Sequence, residues 1–154
     1  MRDKEDLFIC VNEDAEEEEL YFYKTKNKKR VYELLKELLD EKKEIILAYI
    51  YGSFNEKEIF RDIDIAVVVD PLPSNTLSYE LDLSYEIEST LNVPIDVKVI
   101  NNAPVDFAAV AINGTLLLSK NEEKRVDFEF RIMRDYLDRK STINYIKNLK
   151  DGKK

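Results

Sequence analysis

The chain has 154 residues and a formal net charge of −8, an acidic balance that excludes the basic face needed for nonspecific binding to a phosphate backbone. It has no histidine and a single cysteine, Cys10, which excludes histidine-based nucleophile relays, His-ligated zinc, an internal disulfide and a CxxC site. A bound metal must therefore be held by oxygen, which favours Mg²⁺, with Mn²⁺ as the alternative. The longest apolar runs, IILAYIY and IDIAVVV, fall far short of the ~20 residues that span a bilayer. The N-terminus MRDKEDLF has no signal-peptide core. No membrane association is expected, and the reading is cytoplasmic. At this length one domain is expected.

Residues 1–28 read as an N-terminal extension. Leu7-Phe8-Ile9-Cys10-Val11 and Leu20-Tyr21-Phe22-Tyr23 have strand composition, separated by the acidic run NEDAEEEE and followed by the basic run KTKNKKR. The two form a hairpin or stay partly disordered, and Cys10 reads as a buried structural thiol. The spacing of Val31, Leu34, Leu35, Leu38 and Leu39 predicts an amphipathic helix over 29–44. Residues 45–51 form an apolar strand that ends at Gly52, and 54–61 a short polar turn of helix. Residues 62–70 form a strand apolar enough to be covered on both faces.

Ser74 is the expected cap of a helix from Asn75 to Leu91, with Asn92 closing it. Residues 95–100 alternate as a strand, Asp96 and Lys98 on one face and Ile95, Val97 and Val99 on the other. A short helix follows Pro104, then a strand at 115–118. A long helix from Asn121 follows, carrying Val126, Phe130, Met133 and Leu137 as its core stripe and breaking near Ser141. Residues 29–150 make the main domain and 151–154 a frayed tail. The order of elements gives an α/β (α+β) fold, a small sheet with flanking helices.

Three features carry chemistry. Asp62 and Asp64 project to one face at the mouth of an apolar strand, where mutual repulsion and desolvation both call for a divalent cation. Glu80 and Asp82 have the same spacing, but on a helix they diverge, and no role follows for that pair. Gly52-Ser53 joins a strand to a helix start, where free backbone N–H groups and a residue without Cβ suit a phosphate. Ser53-Phe54-Asn55-Glu56 also fits a capping box. Asp96 reaches the Asp62/Asp64 site if its strand lies beside 62–69. It then serves a second metal, or takes a proton from an attacking hydroxyl.

Gly52-Ser53, Asp62-Ile63-Asp64 and Asp96 together resemble the G-S…D-x-D…D signature of the DNA polymerase beta nucleotidyltransferase superfamily. Within it the chain looks most like the minimal nucleotidyltransferases, the MNT antitoxins paired with HEPN toxins, over roughly residues 30–139. The resemblance implies a small mixed sheet flanked by helices. It implies transfer of a nucleoside monophosphate, AMP, from ATP or another NTP to a tyrosine hydroxyl of a HEPN toxin, with two Mg²⁺ ions. Asp62 and Asp64 would hold both ions, Asp96 one of them, and Gly52 and Ser53 the triphosphate. The chain departs from the pattern in the eight residues 54–61, which are few and carry Glu56 and Glu58. Arg61 there contacts phosphate or pairs with Glu58.

Two alternatives stay open. One is a weakly active or inactive protein of this fold that neutralises its partner by binding, using aromatics such as Phe128, Tyr136 and Tyr145. The other is transfer to a small molecule such as an antibiotic hydroxyl. A homo- or hetero-oligomer fits any of the three.

Overall fold

The computed structural model describes residues 7–12 and 21–152. Phe8–Cys10 (β1) and Tyr23–Thr25 (β2) pair antiparallel, with Phe8 opposite Thr25. Most of the acidic run between them, Leu20, and the last two tail residues lie outside the described residues. Cys10 is half-buried rather than buried, because a three-residue edge strand covers one face only.

Lys28–Asp40 (α1) starts where Asn27 Oδ1 accepts from Arg30 N–H at 3.1 Å, and it buries Val31, Leu35 and Leu39 completely. Ile45–Tyr51 (β3) leads through Gly52 into Ser53–Glu56 (α2) and then Ile59–Phe60 (β4). Ile63–Val69 (β5) and Thr76–Leu91 (α3) follow. Asn75, not Ser74, caps α3, its Oδ1 accepting from Ser78 N–H at 3.0 Å. Asn92 closes the helix at φ 60°, a left-handed position that asparagine tolerates. The chain ends with Ile95–Val99 (β6), Val105–Ile112 (α4), Thr115–Ser119 (β7) and Glu122–Lys150 (α5).

The main sheet runs β6-β5-β3-β7. β5 and β6 are parallel and the other neighbours antiparallel, so the sheet is mixed, with α3 as the crossover that a parallel pair requires. Strand alternation divides the core. Ile50, Ile63, Ile65, Val67, Ile95 and Val97 face α1 and α3, while Leu47, Tyr49, Tyr51 and Ala66 face α4 and α5. Both faces are covered, as the apolarity of β5 predicts.

Three further local expectations are corrected. The 54–61 segment is not only a turn of helix, because β4 pairs with β2, Tyr23 opposite Phe60. Phe60 is buried against Phe54, with ring centroids 4.8 Å apart. Glu80 does have a role, a structural one. Its Oε1 accepts from Val99 N–H at 2.9 Å, while Ser84 Oγ accepts from Val97 N–H at 3.0 Å, which closes the open edge of β6.

The third correction concerns α5, which runs unbroken past Ser141 and buries Phe128 and Ile132. Tyr49 donates its hydroxyl to Glu129 Oε1 at 2.8 Å, holding the helix in that rotation. The predicted core stripe therefore faces outward, with Val126, Phe130 and Leu137 at 54%, 66% and 55% exposure.

Candidate functional site

Asp64 is the second residue of β5. Its Cα partners are Tyr51 on β3 and Asp96 on β6. Residues in register on adjacent strands project to the same face with Cα atoms about 5 Å apart. Tyr51, Asp64 and Asp96 thus form one row across three strands, on the α4/α5 side. Asp62 immediately precedes β5, where Ile63 N–H donates to Pro94 O at 3.0 Å and sets the start of the β5/β6 pairing. Lys98, two residues after Asp96 on the same face, brings its Nζ to 3.5 Å from Asp96 Oδ1.

The row is short of positive charge. Burial first, then the charges of Asp62 and Asp96, push the Asp64 carboxyl up to about 6 from its usual 3.8, against the opposing effect of Lys98. Burial, followed by Asp64, Asp96 and Asp62, also holds the Tyr51 phenol well above its ordinary range. Tyr51 is therefore a neutral donor at the rim of the row, its ring set edge-on against Phe107 with centroids 5.6 Å apart. An all-oxygen donor set whose negative charge Lys98 offsets only in part fits a hard divalent cation. Among the described residues, no three acidic or thiol side chains are gathered closely enough to hold a metal as they stand. The fit therefore rests on donor chemistry and charge.

Gly52 is placed by two constraints. Its φ is +77°, a region open to glycine, and a Cβ built there would collide with Asp64 Oδ2. The free space at Gly52 is thus occupied by the Asp64 carboxylate, and the phosphate clearance expected there is shared with it. Gly52 is also the cap of α2, and its carbonyl accepts from both Asn55 N–H and Glu56 N–H. Ser53 is the first helical residue, so the capping-box arrangement is not formed. Its amide and that of Phe54 lack an acceptor within the helix, beside a half-buried hydroxyl. Glu58 pairs with Lys24 at 2.7 Å rather than with Arg61.

The sequence matches the family model described as polymerase beta, nucleotidyltransferase, over residues 33–123, more than half of the chain. The chain belongs to this nucleotidyltransferase family. No curated protein matches the sequence. Solved structures give the fold. The complex of tri-AMPylated Shewanella oneidensis HEPN toxin with MNT antitoxin contains a chain similar at TM-score 0.63 and 19% identity, covering 79% of this chain and 97% of that one. The MntA-HepT toxin-antitoxin complex matches at TM-score 0.59 and 19% identity, over 76% and 93%. A toxin-antitoxin structure with AMP-PNP matches at 0.61 and 21%, over 79% and 96%. As a member of this family the chain has the fold of a nucleotide-transferring enzyme, and the Asp64–Asp96 row lies at one end of its sheet. Sequence reasoning missed Tyr51 and the compensating role of Lys98, because both follow from strand register.

Proposed function

We propose that this chain is a Mg²⁺-dependent nucleotidyltransferase that moves AMP from ATP to a hydroxyl of a partner protein, acting in the cytoplasm as the antitoxin of a HEPN toxin. The observation that carries the reading is the in-register placement of Asp64 and Asp96 on adjacent strands, with Gly52 against Asp64. The similar complexes, one with a tri-AMPylated toxin and one with AMP-PNP, support the donor and the kind of acceptor.

In this reading Asp62 and Asp64 would hold two ions and Asp96 would hold one of them. Bound Mg²⁺ would neutralise phosphate charge and align the attacking and leaving oxygens. The Gly52–Ser53 turn offers its amides and the Ser53 hydroxyl to the β- and γ-phosphates. Asp96, whose side chain is partly exposed, accepts the proton of the attacking hydroxyl. The acceptor oxygen bonds to the α-phosphorus, the α–β bridging bond breaks, and pyrophosphate leaves. Tyr51 donates a hydrogen bond at the rim and stays protonated. The partner docks on the outward face of α5 (Val126, Phe130, Leu137) and on Tyr145, which is exposed at 65%. Phe128 is buried and cannot serve as a contact.

The test is transfer of label from α-labelled ATP to a co-expressed HEPN partner. Label on the partner, absent in Asp64→Ala, is the expected result. A folded complex with Mg²⁺ present and no transfer would sink the reading. The exposed α5 face also favours neutralisation by binding alone. That second reading predicts that Asp64→Ala still protects cells.

A further inference from the structure

Asn55, at the third position of α2, is the junction of four contacts. Its Oδ1 accepts from Tyr32 Oη on α1 and from Thr115 Oγ1 on β7, each at 2.7 Å. Its carbonyl accepts from Lys28 Nζ at 3.3 Å, and the same ammonium lies 5.1 Å from the centre of the Phe54 ring. Its own amide donates to Gly52 O at 3.1 Å. With four residues, α2 is far too short to hold itself by its internal bonds, so these outside contacts, together with the burial of Phe54 against Phe60, decide where it sits.

The contacts close a ring that includes Gly52. Thr115 is the register partner of Ile50, two residues before Gly52. Gly114 allows that approach, because a Cβ there would strike the Ile50 carbonyl. The path from Ile50 through Gly52 to Asn55 returns to Ile50 through Thr115. Gly52, one member of the ring, lies against the Asp64 carboxylate. A shift of Asn55 is passed to Gly52 by the amide–carbonyl bond and from Gly52 to Asp64 by direct contact.

We propose that Asn55 is a positioning residue that fixes the Gly52–Ser53 turn against Asp64, with Tyr32, Thr115 and Lys28 as its anchors. What the turn holds rests on the nucleotidyltransferase reading above; the fixing itself does not. The two hydroxyls use only the side-chain oxygen, so a carboxylate at this position keeps both bonds and a methyl loses both.

The test begins with amide hydrogen exchange over residues 52–57, without metal or nucleotide. Asn55→Ala is expected to raise local exchange by about tenfold or more, since it removes two hydrogen bonds of ordinary strength, and to leave exchange in β5 unchanged. Asn55→Asp stays near wild type. Tyr32→Phe and Thr115→Val fall between, and Tyr32→Phe/Asn55→Ala is no worse than Asn55→Ala alone. Affinity for AMP-PNP with Mg²⁺ falls in step with local exchange.

Unchanged exchange at 52–57 in Asn55→Ala overturns the proposal. So does a uniform rise across the chain with a lowered Tm, which marks a merely structural residue. Loosened exchange with full AMP-PNP affinity overturns it too. If the wild-type protein binds no AMP-PNP, the nucleotidyltransferase reading fails, and the exchange pattern alone decides the role of Asn55.

Discussion

Replacing Asp64 by Asn should stabilise the metal-free protein while abolishing activity. The Asp64 carboxyl titrates at about 6 in the fold against 3.8 ordinarily. Below about pH 4 it is protonated in both folded and unfolded states and costs nothing. Between about 4 and 6 the unfolded chain loses its proton first, so this group lowers stability as pH rises, and the full penalty is present at neutral pH. Two units correspond to ~3 kcal/mol at most. The residue is only half-buried, so solvent screening reduces this to ~1–1.5 kcal/mol. Asn keeps the shape and removes the charge.

For a domain of this size the gain corresponds to a Tm rise of roughly 3–5 °C. It should be visible by calorimetry in chelator at neutral pH and vanish near pH ~4. Mg²⁺ should raise the Tm of the wild type and leave the Asn variant unmoved. A variant no more stable than wild type at neutral pH, or a wild-type Tm indifferent to Mg²⁺, would refute the account of the row as a charge cluster awaiting a cation.

Other expectations follow from the same geometry. Gly52→Ala places a methyl on the Asp64 carboxylate at φ +77°; we expect a loss of ~1–3 kcal/mol in denaturant titration together with loss of label transfer. Glu80→Ala should cost ~1–2 kcal/mol by leaving Val99 N–H without its acceptor, while Glu80→Gln keeps an acceptor and stays within ~0.5 kcal/mol of wild type. Phe130→Glu, at an exposed position, should leave Tm within about 2 °C yet abolish co-purification with the proposed HEPN partner; retained co-purification would move the docking surface elsewhere.

The elements that build the site were legible because their signals are continuous. β3 and β5 are unbroken apolar runs, and β6 alternates cleanly. The alternation also put Asp96 on one face with Lys98. Whether Asp96 meets Asp64 depended on β6 lying beside β5, which periodicity alone does not specify. The rotation of α5 was misjudged because the helix carries two apolar stripes. Val126, Phe130, Met133 and Leu137 follow the helical repeat as well as Phe128, Ile132 and Tyr136 do. Tertiary contact selects the second through the Tyr49–Glu129 bond. The Ser74/Asn75 difference is one of neighbouring residues with equal capping chemistry. β4 has two residues, too few for any period, and exists because β2 supplies its partner.

β4 lies in the segment between Ser53 and Asp62, which the sequence reading sets apart as a departing segment. The family match begins at residue 33, so β1, β2 and the first turn of α1 lie outside it. Those outside elements hold the departing segment. β2 pairs with β4, Phe8 and Tyr23 pack on Phe60, and Lys28 and Tyr32 reach Asn55. The Lys24 ammonium, bonded to Glu58, holds that carboxylate below its usual range and draws its charge toward the hairpin. A segment of only eight residues, with Glu56 and Glu58 offset in number by Lys57 and Arg61, would by itself leave Ser53 loosely placed. Stitched into a second sheet, with Glu58 paired to Lys24, it becomes a fixed wall behind the Gly52–Ser53 turn. The shortness of the segment and the presence of the N-terminal hairpin are thus two halves of one arrangement. Loosening the hairpin, for example by Tyr23→Ala at its contact with Phe60, should then loosen the turn without touching any residue of the acidic row.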